Sequence, residues 1–329
     1  MFSIALVVLV VLLALCFDFV NGFNDTANAI ATSVSTKALS PRTAIMVAAS
    51  FNFAGALTGT AVAAAIGKSI VSPDNVTGLV LSCALIGAIT WNLITWRFGI
   101  PSSSSHALIG GLIGGVIAGF GYKAVLWHGF TRIFAGLIIS PVVSMVAGSL
   151  VMTLLFWLFR GASPARTNNS FRKMQILSAC MAAFAHGSND AQKSMGIITM
   201  ALLSGNIISN FAVPLWVKMA CAAAMAVGTA IGGWRIIRTM GGKIFRIEPI
   251  NGFAADFTSS LVIFAASHIG APVSTTHVVS SSIMGVGAAK RLKGVRWNIA
   301  RQIVIAWFIT IPSAALVSIV VYKLITMLV

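Results

Sequence analysis

The fold class predicted by this sequence is an all-α integral membrane protein: two inverted-topology repeats of about five traversals each, with broken helices or re-entrant hairpins at the hydroxyl-rich motifs. Three observations predict it. Of 329 residues, 58% are hydrophobic and only 9% charged, whereas a soluble domain carries roughly a quarter charged residues. Apolar runs such as Ala44 to Ile66, Val76 to Trp96, Ile133 to Phe159 and Ile299 to Leu328 reach or exceed the ~20 residues that cross a bilayer as a helix. The chain also resembles itself at a fixed spacing, and such repetition sets the architecture before any motif is interpreted.

The repetition is seen in two places. Asn21 to Asp25 (NGFND) matches His186 to Asp190 (HGSND) at an offset of 165. Gly99 to His106 (GIPSSSSH) matches Gly270 to His277 (GAPVSTTH) at an offset of 171, which also pairs Gly114 with Gly285 and Pro141 with Pro312.

Each half then reads as five traversals. They fall roughly at 3–36 (interrupted near Gly22), 41–66, 76–98, 101–120 and 130–158, then at 174–205, 211–234, 249–268, 271–289 and 298–325. The organisation is a first repeat over 1–159, a short cytoplasmic linker over 160–173 and a second repeat over 174–329. Five is odd, so the second half starts from the opposite side of the bilayer. The first apolar run lacks the basic start of a signal peptide and is kept as mature protein.

Threading the chain alternately puts sixteen Lys and Arg on one side, among them Arg97, Arg160, Arg235, Arg238, Lys243 and Arg296. Five (Lys68, Lys123, Arg132, Lys218 and Lys323) fall on the other, and Lys193 stays within a motif. The crowded side is cytoplasmic. The net charge of +16 therefore reports topology and not nucleic-acid binding, and the protein is placed in the cell membrane with the bilayer as its surroundings. The four cysteines lie in apolar runs without CxxC spacing and read as small buried hydrophobes.

Two sets of residues carry chemistry. Pro101 with Ser102, Ser103, Ser104 and Ser105, and Pro272 with Ser274, Thr275 and Thr276, read as helix starts, with proline in the first turn and hydroxyls available as caps. Free N–H groups and the positive end of the helix dipole suit a phosphate or sulfate. Taken singly, such hydroxyls also serve as caps or packing residues; two equivalent clusters, each closed by a histidine (His106, His277), point to substrate.

Asp25 and Asp190 are two of only six acidic residues, each in a polar stretch of an apolar segment. A carboxylate there is a functional candidate. It repels an oxyanion, so its partner is a coupling cation, sodium or proton, with Asn21, Asn24, Asn28 and Asn189 offering oxygens. Gln192 and Lys193 follow the second aspartate closely enough to reach the anion, and a salt bridge is an equal reading for the lysine. Asp18 and Asp256 have no counterpart in the other half. No cofactor or bound metal is expected: Cys and His are too scattered for a tetrahedral site, and without a nucleotide motif ATP drive within the chain is not expected.

Gly22 to Ala29 (GFNDTANA) and Ala185 to Thr199 (AHGSNDAQKSMGIIT) resemble the duplicated signature of the inorganic phosphate transporter (PiT) family, and GIPSSSSHALIGG and GAPVSTTHVVSSS resemble it too. The resemblance implies a symporter importing inorganic phosphate with sodium ions or protons, sometimes as a metal phosphate. It assigns Asp25, Asn24, Asp190 and Asn189 to the cation and part of the substrate site, and Ser103 to Ser105, Ser274 to Thr276 and Gln192 to the anion. The short linker leaves no room for a regulatory loop domain, and Phe23 stands where a small residue is usual.

The expectation is a non-enzymatic transporter, with a homodimer as one possible assembly. The rivals are a sulfate permease of the same fold, an anion channel, and an intramembrane hydrolase using Ser104 and His106. Duplication of that pair argues against the hydrolase, since one active site suffices.

Overall fold

The computed structural model describes residues 4–70, 76–231, 236–237 and 239–328. Arg235 and Arg238, counted above in the charge asymmetry, lie outside the described residues, as do the end of the predicted 211–234 traversal and the side chains of Lys68 and Lys243. The described residues form helices and connecting turns, without a strand.

The helices, in chain order, are α1 (Ile4–Ser35), α2 (Pro41–Ala56), α3 (Ala61–Ser69), α4 (Gly78–Phe98), α5 (Ser104–Phe120) and α6 (Trp127–Leu158), followed by α7 (Pro164–Ser204), α8 (Leu215–Ile231), α9 (Pro249–His268), α10 (Thr275–Lys290) and α11 (Trp297–Leu328). A π-helical turn, Thr239–Lys243, follows α8. Helices α1, α4, α6, α9 and α11 are long and apolar enough to cross a membrane, and α2 with α3, bent by 69° at the break between them, makes a sixth such unit.

Helix α7 has 41 residues, about 60 Å at 1.5 Å per residue. It misses the apolar criterion because its middle carries Gln175, Ser178, His186, Ser188, Asn189, Asp190, Gln192 and Lys193, all buried. Polar side chains in a membrane protein turn to the bundle interior, and α7 runs through that interior. The stretch 160–173 is helical from Pro164 onward.

The expected interruption near Gly22 is absent, since α1 continues through it. The glycine has another use. A Cβ on Gly22 would meet the Met225 carbonyl of α8, and one on Gly228 would meet the Phe19 carbonyl of α1. The same crossing recurs between Gly187 of α7 and Asn52 of α2, and between Gly55 of α2 and Phe184 of α7. Small residues let membrane helices approach backbone to backbone, so the polar stretches mark helix crossings and not breaks.

The hairpins α4–α5 and α9–α10 are built alike. Helix α4 ends at Gly99 (φ 66°) and α9 is followed by Gly270 (φ 73°). Ile100 N–H donates to Thr95 O at 3.0 Å and Ala271 N–H to Ala266 O at 2.8 Å, closing the preceding helix in each case. The left-handed conformation these turns require favours glycine. Three extended residues later Ser103 and Ser274 cap the next helix by accepting from His106 N and His277 N. Pro101 and Pro272 therefore precede the caps and do not occupy the first helical turn: the chain must first reverse at the glycine, and proline suits the extended path that follows.

The second helix of each hairpin also packs across to the last helix of the other half. Gly110 and Gly114 of α5 lie against Ile311 and Ala315 of α11, whereas Gly285 of α10 lies against Met145 of α6. Ser144 and Ser149 of α6 donate to Val278 O (2.7 Å) and Gly285 O (2.9 Å) of α10. Of the cysteines, Cys83 and Cys221 are buried and Cys180 partly so, but Cys16 is exposed. It lies on the apolar outer face of α1, where a thiol needs no partner.

Candidate substrate and ion site

The N-termini of α5 and α10 meet in the interior, over α1 and α7. Ser105 Oγ donates to Val273 O just before α10 (3.0 Å), and the His106 and His277 rings lie 4.4 Å apart. A helix leaves its first N–H groups without intrahelical acceptors. Those of Ser104, Ser105, Thr275 and Thr276 thus converge from two helices in an interior where all four side chains are buried.

The acidic pair lies beside these ends. Asp25 accepts from Thr276 Oγ1 (3.1 Å) and Ser104 Oγ (3.4 Å); Asp190 accepts from Thr275 Oγ1 (2.9 Å). The Lys193 ammonium salt-bridges Asp190 and donates to Val273 O. His186 Nε2 lies 3.0 Å from Asp190 Oδ2 and 3.9 Å from Asp25 Oδ2, a close contact without hydrogen-bond directionality. His186 Nδ1 meets Asn52 Oδ1 at 3.1 Å, while Asn52 Nδ2 donates to Thr229 of α8. Asn52 thus turns the imidazole edge to the two carboxylates. Asp25, His186 and Asp190 each offer a ligand atom within 4.8 Å of the others.

The asparagines share one pattern. Asn24 Nδ2 donates to Asn92 O (3.2 Å), Asn28 Nδ2 to Thr276 Oγ1 (3.0 Å) and Asn189 Nδ2 to Ser267 Oγ (2.9 Å). Each keeps a buried Oδ1 without a donor among the described residues. An uncovered buried carbonyl is costly and is the group a small cation would coordinate.

Not every expected residue joins the cluster. Gln192 Oε1 accepts from Val62 N (2.9 Å) and its Nε2 donates to Ser188 O (2.6 Å) and Thr58 O (3.2 Å), so it caps the N-terminus of α3. Asn21 is fully buried, and neither amide atom has a hydrogen bond among the described residues. Ser103 and Ser274 hydroxyls are occupied as caps. Sequence reasoning gave no role to His186, although its spacing four residues before Asp190 puts both on one helix face. It also passed over Asn52, which carries no motif.

Apolar helices that turn their charged and hydroxyl side chains inward around a shared polar centre, with two helix N-termini facing each other there, define a polytopic membrane transport protein. The phosphate transporter family matches residues 21–318, nearly the whole chain. A probable low-affinity inorganic phosphate transporter of Bacillus subtilis is 52% identical over 326 residues, covering 98% of each chain. One of Rhizobium meliloti is 48% identical over 319 residues, covering 96% of each. The solved structure of a sodium-dependent phosphate transporter shares the fold, with a TM-score of 0.89 and 24% identity over 99% of this chain and 100% of that one. The chain belongs to the phosphate transporter family.

Proposed function

We propose that this protein is an ion-coupled symporter that imports inorganic phosphate, and that the centre between α5, α10, α1 and α7 is where phosphate and the coupling ion bind. The observation that carries this reading is the convergence of two capped helix N-termini on a buried Asp pair flanked by asparagine oxygens that have no donor among the described residues. Backbone N–H groups at the starts of α5 and α10, with the hydroxyls of Ser104, Ser105, Thr275 and Thr276, serve the anion, while Ser103 and Ser274 hold those helix ends in place as caps. Asp25, Asp190 and Asn28 serve the cation, sodium or proton, with Asn24 and Asn189 between the two. Because cation and oxyanion neutralise each other across such a centre, each is held better when the other is present.

Two inverted repeats, 1–159 and 174–329, are the arrangement that the recurring glycine crossings, capped hairpins and proline-bearing α6 and α11 support. The hairpins would re-enter from opposite faces. That irregular backbone lies buried in protein, the condition under which it is tolerated at membrane depth.

Uptake of phosphate and of sulfate into proteoliposomes, with sodium and proton gradients imposed separately, tests the reading. Phosphate should accumulate above equilibrium and collapse with the driving gradient. Passive equilibration would indicate a channel, and preference for sulfate would overturn the cargo.

A further inference from the structure

Asp18 is a second interior carboxylate, seven residues before Asp25 on α1, fully buried and outside the centre described above. Its Oδ1 accepts from Ser194 Oγ of α7 at 2.6 Å, the weakly donating Cys221 thiol of α8 lies against the carboxyl, and Oδ2 makes no directional hydrogen bond among the described residues. The ionisable groups brought near it are Asp190 and Lys193 of α7, already paired with each other, and Cys221 of α8. No basic group forms a salt bridge with it among the described residues. By contrast, Asp256 accepts from the Thr32 hydroxyl at 2.7 Å and lies 3.5 Å from that of Ser178.

One turn beyond Asp18 on the same face of α1 stands Asn21, also fully buried, with Oδ1 and Nδ2 both unpartnered among the described residues. An isolated ionised carboxylate in such surroundings is strongly disfavoured, whereas a neutral acid is tolerated if its proton finds an acceptor. The Asn21 amide can supply that acceptor as Oδ1, and after rotation can offer Nδ2 to the carboxylate once the proton has left.

We propose that Asp18 and Asn21 form a proton-binding site separate from the Asp25 and Asp190 centre, loaded and emptied during each transport cycle. The inference rests on the transport reading above and adds a co-transported proton to it. The site suits a proton and not a metal cation. Asp18 and Asn21 between them leave two oxygens uncommitted among the described residues, Oδ2 and Oδ1, whereas hard cations gather about six oxygens. The step is a simple protonation: Oδ2 takes a proton from water on the side where the site is open and returns it on the other, and no other bond is made or broken.

The test compares wild type and Asp18→Asn in proteoliposomes with sodium equal on both sides. One co-transported proton contributes about 1.4 kcal/mol, or tenfold in accumulation, per unit of pH gradient. In D18N the steady-state phosphate ratio should fall about tenfold per unit, while phosphate-for-phosphate exchange, which needs no net proton movement, continues and Asp18→Glu restores coupling. Pumping by D18N at the wild-type ratio, or a wild type indifferent to pH gradients and driven by sodium alone, overturns the proposal. A wild type that takes up no phosphate under any gradient defeats the transport reading instead. Infrared spectra then read the proton directly: the carbonyl stretch of a protonated carboxyl should be present at neutral pH, lost in D18N and shifted by Asn21→Ala. Its absence from wild type overturns the site.

Discussion

Each carboxylate of the central pair is held by a hydroxyl from α10, and one of them also by a lysine. Asp25→Asn and Asp190→Asn preserve shape and remove charge, so both variants should stay folded and lose gradient-driven uptake, measured as accumulation against folded protein in the membrane. Accumulation at the wild-type level in both would remove the coupling role. Ser104→Ala and Thr275→Ala each delete a hydroxyl beside a buried charge. A hydrogen bond to a charged group contributes about 1.5–3 kcal/mol, so half-saturation for phosphate should rise roughly ten- to a hundredfold. Unchanged half-saturation in both would return these hydroxyls to packing. At this scale the sequence was informative where a motif recurred: Asp25, Asp190, Asn28, Ser104, Thr275 and Thr276 gather in one place. It was silent on Asn52, whose task depends on where α2 crosses α7. It also could not tell that Gln192 would be drawn to the open end of α3.

Helices in this protein meet through glycine at points where the partner is backbone. A Cβ at Gly187 would collide with the Asn52 carbonyl, and one at Gly228 with the Phe19 carbonyl. Neither neighbour is a flexible side chain that could give way. Gly187→Val and Gly228→Val should therefore separate α2 from α7 and α1 from α8, destabilising by about 1–3 kcal/mol or more. The expected result is a lower melting temperature and a smaller folded fraction on size exclusion; wild-type melting would mean that the crossings yield easily. Periodicity and apolar length revealed the helices in nearly the right places. What they could not reveal was continuity. The cluster at Asn21 to Asp25 looks like an interruption because its side chains are polar, yet a helix whose polar face looks into the protein keeps every backbone hydrogen bond.

Across the whole molecule, Ala107 and Val278 sit just inside the two facing helix ends, both fully buried. If the centre opens alternately to the two sides, cysteines placed there in a background lacking Cys16, Cys83, Cys180 and Cys221 should react with impermeant thiol reagents from either face. Phosphate with its coupling ion should change the two rates in opposite directions. Access from both faces at once would indicate a pore, and no reaction from either would mean that the pathway lies elsewhere. Composition and the apolar runs made membrane residence legible, and the 171-residue offset picked out the two hairpins that are built alike. The packing partners were not, because a sequence offset says which segments are alike and nothing about which of them touch.

The cross-packing of α5 on α11 and of α10 on α6 has a consequence for how the chain can be divided. Residues 1–159 alone would hold a glycine-faced α5 whose partner helix lies past residue 296, and residues 174–329 would lack α6 in the same way. Neither stretch is complete without the other, each lending its last helix across. A cut in the five residues between α6 and α7 would therefore leave two pieces that still clasp one another.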